Sequence, residues 1–119
     1  MHMSIDLNFS EGLRAHQAGQ YEEADRHYTA ILKLQPGHSD ANHNMGILAV
    51  HVGELNRAIS FFKKALETNP SIEQFWISYI NALIDSGFMK EAKRALKKAK
   101  KNSCLPNGLK QLQRKIDQD

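Results

Sequence analysis

Apolar residues recur along this chain three and four positions apart, in seven segments separated by short polar breaks. That spacing predicts seven amphipathic helices. The first runs from Ser4 to about Ala18, with Phe9, Gly12, Leu13 and Ala15 on a narrow stripe. Ser4 is placed to cap it, and Asp6 sits in the first turn, where the helix dipole favours anions. The second, Tyr21–Leu34, carries Tyr21, Ala24, Tyr28, Ile31 and Leu32, and Gln35-Pro36-Gly37 stops it. The third begins at Ser39, read as its cap, and reaches about Val52 through Met45, Leu48 and Ala49. The fourth, Leu55–Thr68, buries Ala58, Ile59, Phe62, Ala65 and Leu66 and closes on Asn69-Pro70. Ser71 with Gln74 reads as a capping box for the fifth, which runs to about Ser86 with Phe75, Trp76, Tyr79, Ala82 and Leu83. The sixth, Met89 to about Asn102, has Met89, Ala92, Leu96 and Ala99 inside and lysines outside. The last, Pro106 to about Asp117, has Leu109, Leu112 and Ile116, and proline suits its first position.

The pattern repeats. Gly19, Gly53 and Gly87 are spaced by 34 residues, as are Ala24, Ala58 and Ala92, and Pro36 and Pro70. A fixed period of about 34 points to stacked helix–turn–helix units. Gly12 and Gly46 lie inside helices, where glycine costs stability; a neighbouring helix too close for a side chain explains them. Ile80 occupies the third such place, which predicts a slightly wider spacing there. Cys104 fills the third proline slot. The expected architecture is all-α: one domain over 1–119, with repeats at about 3–36, 37–70 and 71–104. A capping helix at about 105–117 covers the last apolar face.

These residues resemble the tetratricopeptide repeat family. The middle repeat carries the likeness best, through Gly46, Gly53, Ala58, Phe62, Ala65 and Pro70. The first matches through Gly12, Gly19, Tyr21, Ala24, Tyr28 and Pro36, and the third through Trp76, Tyr79, Gly87, Ala92 and Ala99, departing at Ile80 and Cys104. The resemblance implies a right-handed superhelix of three helix pairs whose first helices line a concave groove for partners. Read at helical spacing, that lining is Phe9, Ser10, Leu13, His16 and Gln17, then His43, Asn44, Ile47, Val50 and His51. Gln74, Ile77, Ser78, Asn81, Ile84 and Asp85 complete it. Apolar groups with scattered hydrogen-bonding ones suit an extended peptide or a partner helix.

Two branches of the family can be compared by residue. Members that bind chaperone tails hold a C-terminal carboxylate with lysines, an arginine and asparagines. Phe9, Leu13, Asn44, Gln74 and Ser78 stand at those places here, so the cations that make such capture strong are missing. Repeats ahead of O-linked N-acetylglucosamine transferase domains carry an asparagine row; Ser10, Asn44 and Ser78 form a polar row with one asparagine. The texture of Phe61–Leu83 is also similar to repeats that precede bacterial glycosyltransferase, sulfotransferase or methyltransferase domains.

Charge and candidate chemistry change this picture little. The chain has 119 residues, 41% hydrophobic and 24% charged, and a net charge of +3. From Lys90 onward ten Lys/Arg face three Asp/Glu, a local net of +7, against −4 for the residues before it. A basic end can steer an acidic partner, but no nucleic-acid reader motif accompanies it, and a solvated helix face explains it. No apolar run is long enough to span a membrane. Met1-His2-Met3 reads as a cloning remnant. The single cysteine excludes an intrachain disulfide and fits a reducing, cytoplasmic setting. His43 and His51 are eight residues apart on one helix, about 12 Å along its axis, too far to share an ion. No HExxH, CxxC, GxSxG or phosphate-cradling loop occurs. Cys104 lies beside lysines that favour a thiolate, yet a small half-buried hydrophobe is the simpler reading. No catalytic residue, metal or cofactor is therefore expected. The expectation is a protein- or peptide-binding scaffold without catalysis of its own. Two alternatives stay open: the substrate-recognition part of a larger transferase, and a self-association module.

Overall fold

A computed structural model describes residues 3–102 and 106–118. The readings attached to Cys104 and to Met1-His2 fall outside the described residues. Seven helices and no strand occur among those described: α1 (Ile5–Gln17), α2 (Tyr21–Leu34), α3 (Ser39–His51), α4 (Leu55–Thr68), α5 (Glu73–Asp85), α6 (Met89–Asn102) and α7 (Pro106–Asp117). Each helix packs on its chain neighbours, and α5 also touches α3 and α7. The stack measures 50 × 26 × 20 Å.

Helix starts follow the repeat rather than the best local cap. The three N-cap positions are Ser4, His38 and Ile72, each 34 residues after the last. Ser4 caps as expected, its Oγ accepting from the Leu7 N–H at 3.1 Å. Ser39 does not cap: it is already helical, and His38 Nδ1 accepts from the Ala41 N–H at 3.1 Å. Nor does a capping box form at α5. Ser71 Oγ donates to Asn69 Oδ1 at 3.2 Å, and the cap position falls to Ile72, which has no side-chain acceptor. Stacking fixes where the chain turns, and the residue at that register must serve. At the other end of each first helix the turn closes through Gly19, Gly53 or Gly87, with φ of +76°, +80° and +82°. Only glycine reaches that region without strain.

The two helices of a pair meet at a glycine. A Cβ on Gly12 would stand 2.5 Å from Tyr28 Cε1, and one on Gly46 would run into the Phe62 ring. Both rings are fully buried. In the third pair the bulk is divided differently. Ile80, fully buried, takes the glycine's place, and Leu96 takes the ring's place 34 residues after Phe62. The side chain added on α5 is matched by a smaller one on α6.

A second device recurs with the same period. Asn8, Asn42 and Trp76 each donate a side-chain N–H to a carbonyl of the preceding connection: Met3 at 3.4 Å, Pro36 at 3.0 Å and Pro70 at 2.6 Å. Asn8 and Asn42 are buried for this purpose, and Trp76 is only 6% exposed. At the far end Leu109, Leu112 and Ile116 of α7 join Leu96, Ala99 and Phe75 in one apolar cluster.

Two tests follow from the packing, both read by thermal unfolding. Gly46→Ala should destabilise by at least about 1–3 kcal/mol, because the Phe62 ring has no room to retreat. Ile80→Gly alone should destabilise more than Ile80→Gly combined with Leu96→Phe, which rebuilds the ring-on-glycine pair of the other repeats.

Candidate binding groove

The first helices of the three pairs, α1, α3 and α5, carry every residue expected to line the groove. Phe9, Leu13, Ile47, Ile77 and Ile84 are half-buried and Val50 is exposed. Ser10, Gln17, His51, Gln74 and Asp85 are exposed; His16, His43, Asn44 and Asn81 are half-buried. Ser78 is buried, at 8% exposure.

The structure spends much of the polar lining on cross-links between successive first helices. His16 Nε2 lies 2.8 Å from His51 Nδ1, joining α1 to α3. His43 Nε2 lies 2.8 Å from Ser78 Oγ, joining α3 to α5, and Gln74 donates to the same hydroxyl at 3.3 Å. Lys115 Nζ donates to Asn81 Oδ1 at 2.7 Å, joining α5 to α7. The partners are 35, 35 and 34 residues apart, one rung per repeat. The helix α7 takes up much of the third pair's face. Ile77 and Ile84 pack on the cluster that holds Leu109, Leu112 and Ile116, and the backbone at Gly108 lies against Glu73 and Ile77. The surface left open centres on Phe9, Ser10, Leu13, Asn44, Ile47 and Val50. Asn44 makes no side-chain hydrogen bond among the described residues.

His43 is the most deeply set of the rung histidines. Its ring stacks on Phe75 with centroids 4.7 Å apart and leans on Phe62 at 5.4 Å. Burial pulls its pKa down to about 4, against a smaller opposing pull from Asp40. His16 is also shifted down, by burial and then by His51. Both rings are neutral at neutral pH.

Residues 39–72 match the profile of the tetratricopeptide repeat. The chain superposes on the TPR2B domain of yeast Sti1, in a complex with pHsp70, with a TM-score of 0.83 over 96% of each chain at 21% identity. Residues 39–72 are a tetratricopeptide repeat, and the chain shares the fold of proteins built from such repeats. Its fold is accordingly the right-handed superhelix of that family, closed by α7. The first TPR of Spaghetti (RPAP3), bound to the HSP90 peptide SRMEEVD, gives a TM-score of 0.84, with 21% identity over 96% of this chain and 90% of that one. A Thermobaculum terrenum O-GlcNAc transferase is matched over 83% of this chain but 20% of its own, with a TM-score of 0.73 and 22% identity. By sequence, the Photosystem I assembly protein Ycf3 of Synechococcus sp. (strain CC9605) is 39% identical over 66 residues. That match covers 53% of this chain and 38% of the relative, so the repeat protein spans well under half of that relative's length.

Away from the groove the repeat protein shows features that the sequence did not announce. Arg14 sits between Glu11 and Glu23, 2.8 Å from each, and His27 lies 3.8 Å from Glu23 and 3.0 Å from Asn8 Oδ1. Glu11, Glu23 and His27 come close enough together to suggest a metal, but the guanidinium already supplies the positive charge. A cleft of about 430 Å³ opens between α4 and α6, floored by Leu66, Trp76 and Tyr79 and edged by Lys63, Arg94 and Lys98. The basic residues of α6 and α7 make no ion pair among the described residues and are all exposed, in keeping with a solvated face. None of the described helices is long and apolar enough to cross a membrane.

The buried histidine gives a pH dependence of known sign. His43 is harder to protonate folded than unfolded, so its contribution to stability is full above pH 6.5 and is lost as the pH falls toward about 4. The loss is at most roughly 3 kcal/mol over that window. Thermal unfolding between pH 7.5 and 4.5 should show a declining midpoint, and His43→Phe should flatten the decline.

Proposed function

We propose that this protein is a non-catalytic scaffold that recognises a segment of a partner protein along the inner face of its first helices. The observation that carries this reading is the open strip of Phe9, Leu13, Ile47 and Val50, flanked by Ser10, Gln17 and Asn44. Apolar anchors with polar register-setting neighbours suit a peptide segment. The neighbours in fold support it, since Sti1 and Spaghetti are seen with chaperone-derived partners. The relative named for the assembly of Photosystem I supports a scaffold rather than a catalyst.

The occupant differs from an acidic chaperone tail. Phe9, Leu13, Gln74 and Ser78 provide no cation, Asn44 is the single matching residue, and Asp85 is the one carboxylate among the sixteen lining residues. A neutral, apolar segment fits this strip, and its binding depends little on salt. The working organisation is one domain of three repeats, about 3–36, 37–70 and 71–104, acting in the cytoplasm without a metal or cofactor for recognition.

A second reading has one observation in its favour. The match to the O-GlcNAc transferase takes in most of this chain and a fifth of that enzyme. On this reading the repeats select substrates for a catalytic domain, and the reading frame after Asp119 separates the two. Self-association is separated by light scattering across a concentration series, where a strict monomer excludes it.

The groove reading is tested by Leu13→Asp combined with Ile47→Asp. Affinity-captured partner should be lost from the double variant while far-ultraviolet circular dichroism stays helical. Capture at undiminished level would place the binding surface elsewhere on the molecule.

A further inference from the structure

We propose that His16 and His51 form a two-imidazole site for a divalent transition-metal ion, of the zinc, nickel or copper class, joining the first repeat to the second. The two ring nitrogens are already 2.8 Å apart, with ring planes at 75° and centroids separated by 4.9 Å. Two imidazoles on one tetrahedral ion stand about 3.3 Å apart, from metal–nitrogen bonds of about 2.0–2.1 Å. Ligating one ion therefore requires the nitrogens to separate by roughly half an ångström and both rings to turn, so that each lone pair points at the ion instead of at the other nitrogen. His51 is exposed at the surface and His16 is half-buried, so most of that reorientation falls to the His51 side chain.

A second observation points to a cation at this place. His16 lies in the last turn of α1 and His51 is the last residue of α3. Two helix C-termini, each with partial negative charge on its final carbonyls, converge beside the pair. The groups around it are aromatic: the Tyr21 ring lies 5.7 Å from His16 and 5.9 Å from His51, and Tyr28 lies 6.3 Å from His16. No Lys or Arg bonds to either ring among the described residues. Imidazole must be neutral to bind a metal, and burial with the neighbouring ring holds the His16 pKa below its ordinary value.

The proton balance is simple. In the hydrogen-bonded pair one bridging nitrogen carries the proton. On metal binding that proton moves to the same ring's other nitrogen through solvent, so each neutral imidazole presents a lone pair. Water completes the coordination. Imidazole sites favour copper over nickel and zinc, and two protein ligands leave the affinity modest. An ion held here ties α1 directly to α3.

The test is calorimetric titration of the full chain with ZnCl2 and with NiCl2 at pH 7.5, without any partner. One ion per chain should bind, and His16→Gln and His51→Gln should each weaken binding by about tenfold or more, because the second ligand's effective concentration is lost. His27→Gln and His2→Gln should leave that binding unchanged. Imidazole nitrogen resonances of the unaltered protein should shift at His16 and His51 on adding Zn2+, which reports on the site even where a variant folds poorly. Zinc and nickel binding that survives His16→Gln and His51→Gln together, or resonances of these two rings that stay in place at saturating Zn2+, would overturn the assignment. So would the absence of saturable binding.

Discussion

An aromatic ring seated on a glycine governs the spacing of the first two helix pairs. Gly12 under Tyr28 and Gly46 under Phe62 bring the paired helices closer than any side chain would permit. The rings are excluded wholly from water, and burial of a large side chain is among the strongest stabilising contributions available to a short helix. These helices have 13 or 14 residues and would be marginal alone. Close pairing lets them bury one face together. The next pair then docks on the result, because no single pair covers its own apolar surface.

The docked pairs bring their first helices side by side, and the groove inherits its chemistry from that arrangement. Positions one repeat and one residue apart come within hydrogen-bonding distance, as His16 with His51 and His43 with Ser78 show. The rungs remove polar groups from the lining. What remains open is more apolar than the composition of the first helices suggests. It also explains why His43 stays neutral: its ring is enclosed by Phe62 and Phe75, and a charge there would have to be desolvated.

The third pair departs from the first two, and the reason lies on its outer side. Ile80 with Leu96 replaces the ring-on-glycine contact, and α7 then lies where the first helix of another pair would stack. Gly108 lets its backbone approach Glu73 and Ile77. The apolar end of the stack is thereby covered, and the lysines of α6 and α7 stay in water.

The sequence by itself determined the helices, their order and their register. Period-3.6 stripes place α2 and α4 to the residue and α6 and α7 closely, and the 34-residue recurrence of Gly19, Ala24 and Pro36 states that the units stack. Local chemistry of this kind is written within one helix or one turn. It misjudged the starts of α3 and α5, where Ser39 and Ser71 are good caps in isolation but the stack places the turn at His38 and Ile72. Only the tertiary structure decided which lining residues remain free. A rung needs two side chains from different helix pairs or from α5 and α7, 34 or 35 residues apart, and no periodicity within a helix reveals the distance between them. His16 and His51 read as two scattered histidines in the chain; packing of α1 beside α3 makes them a bonded pair.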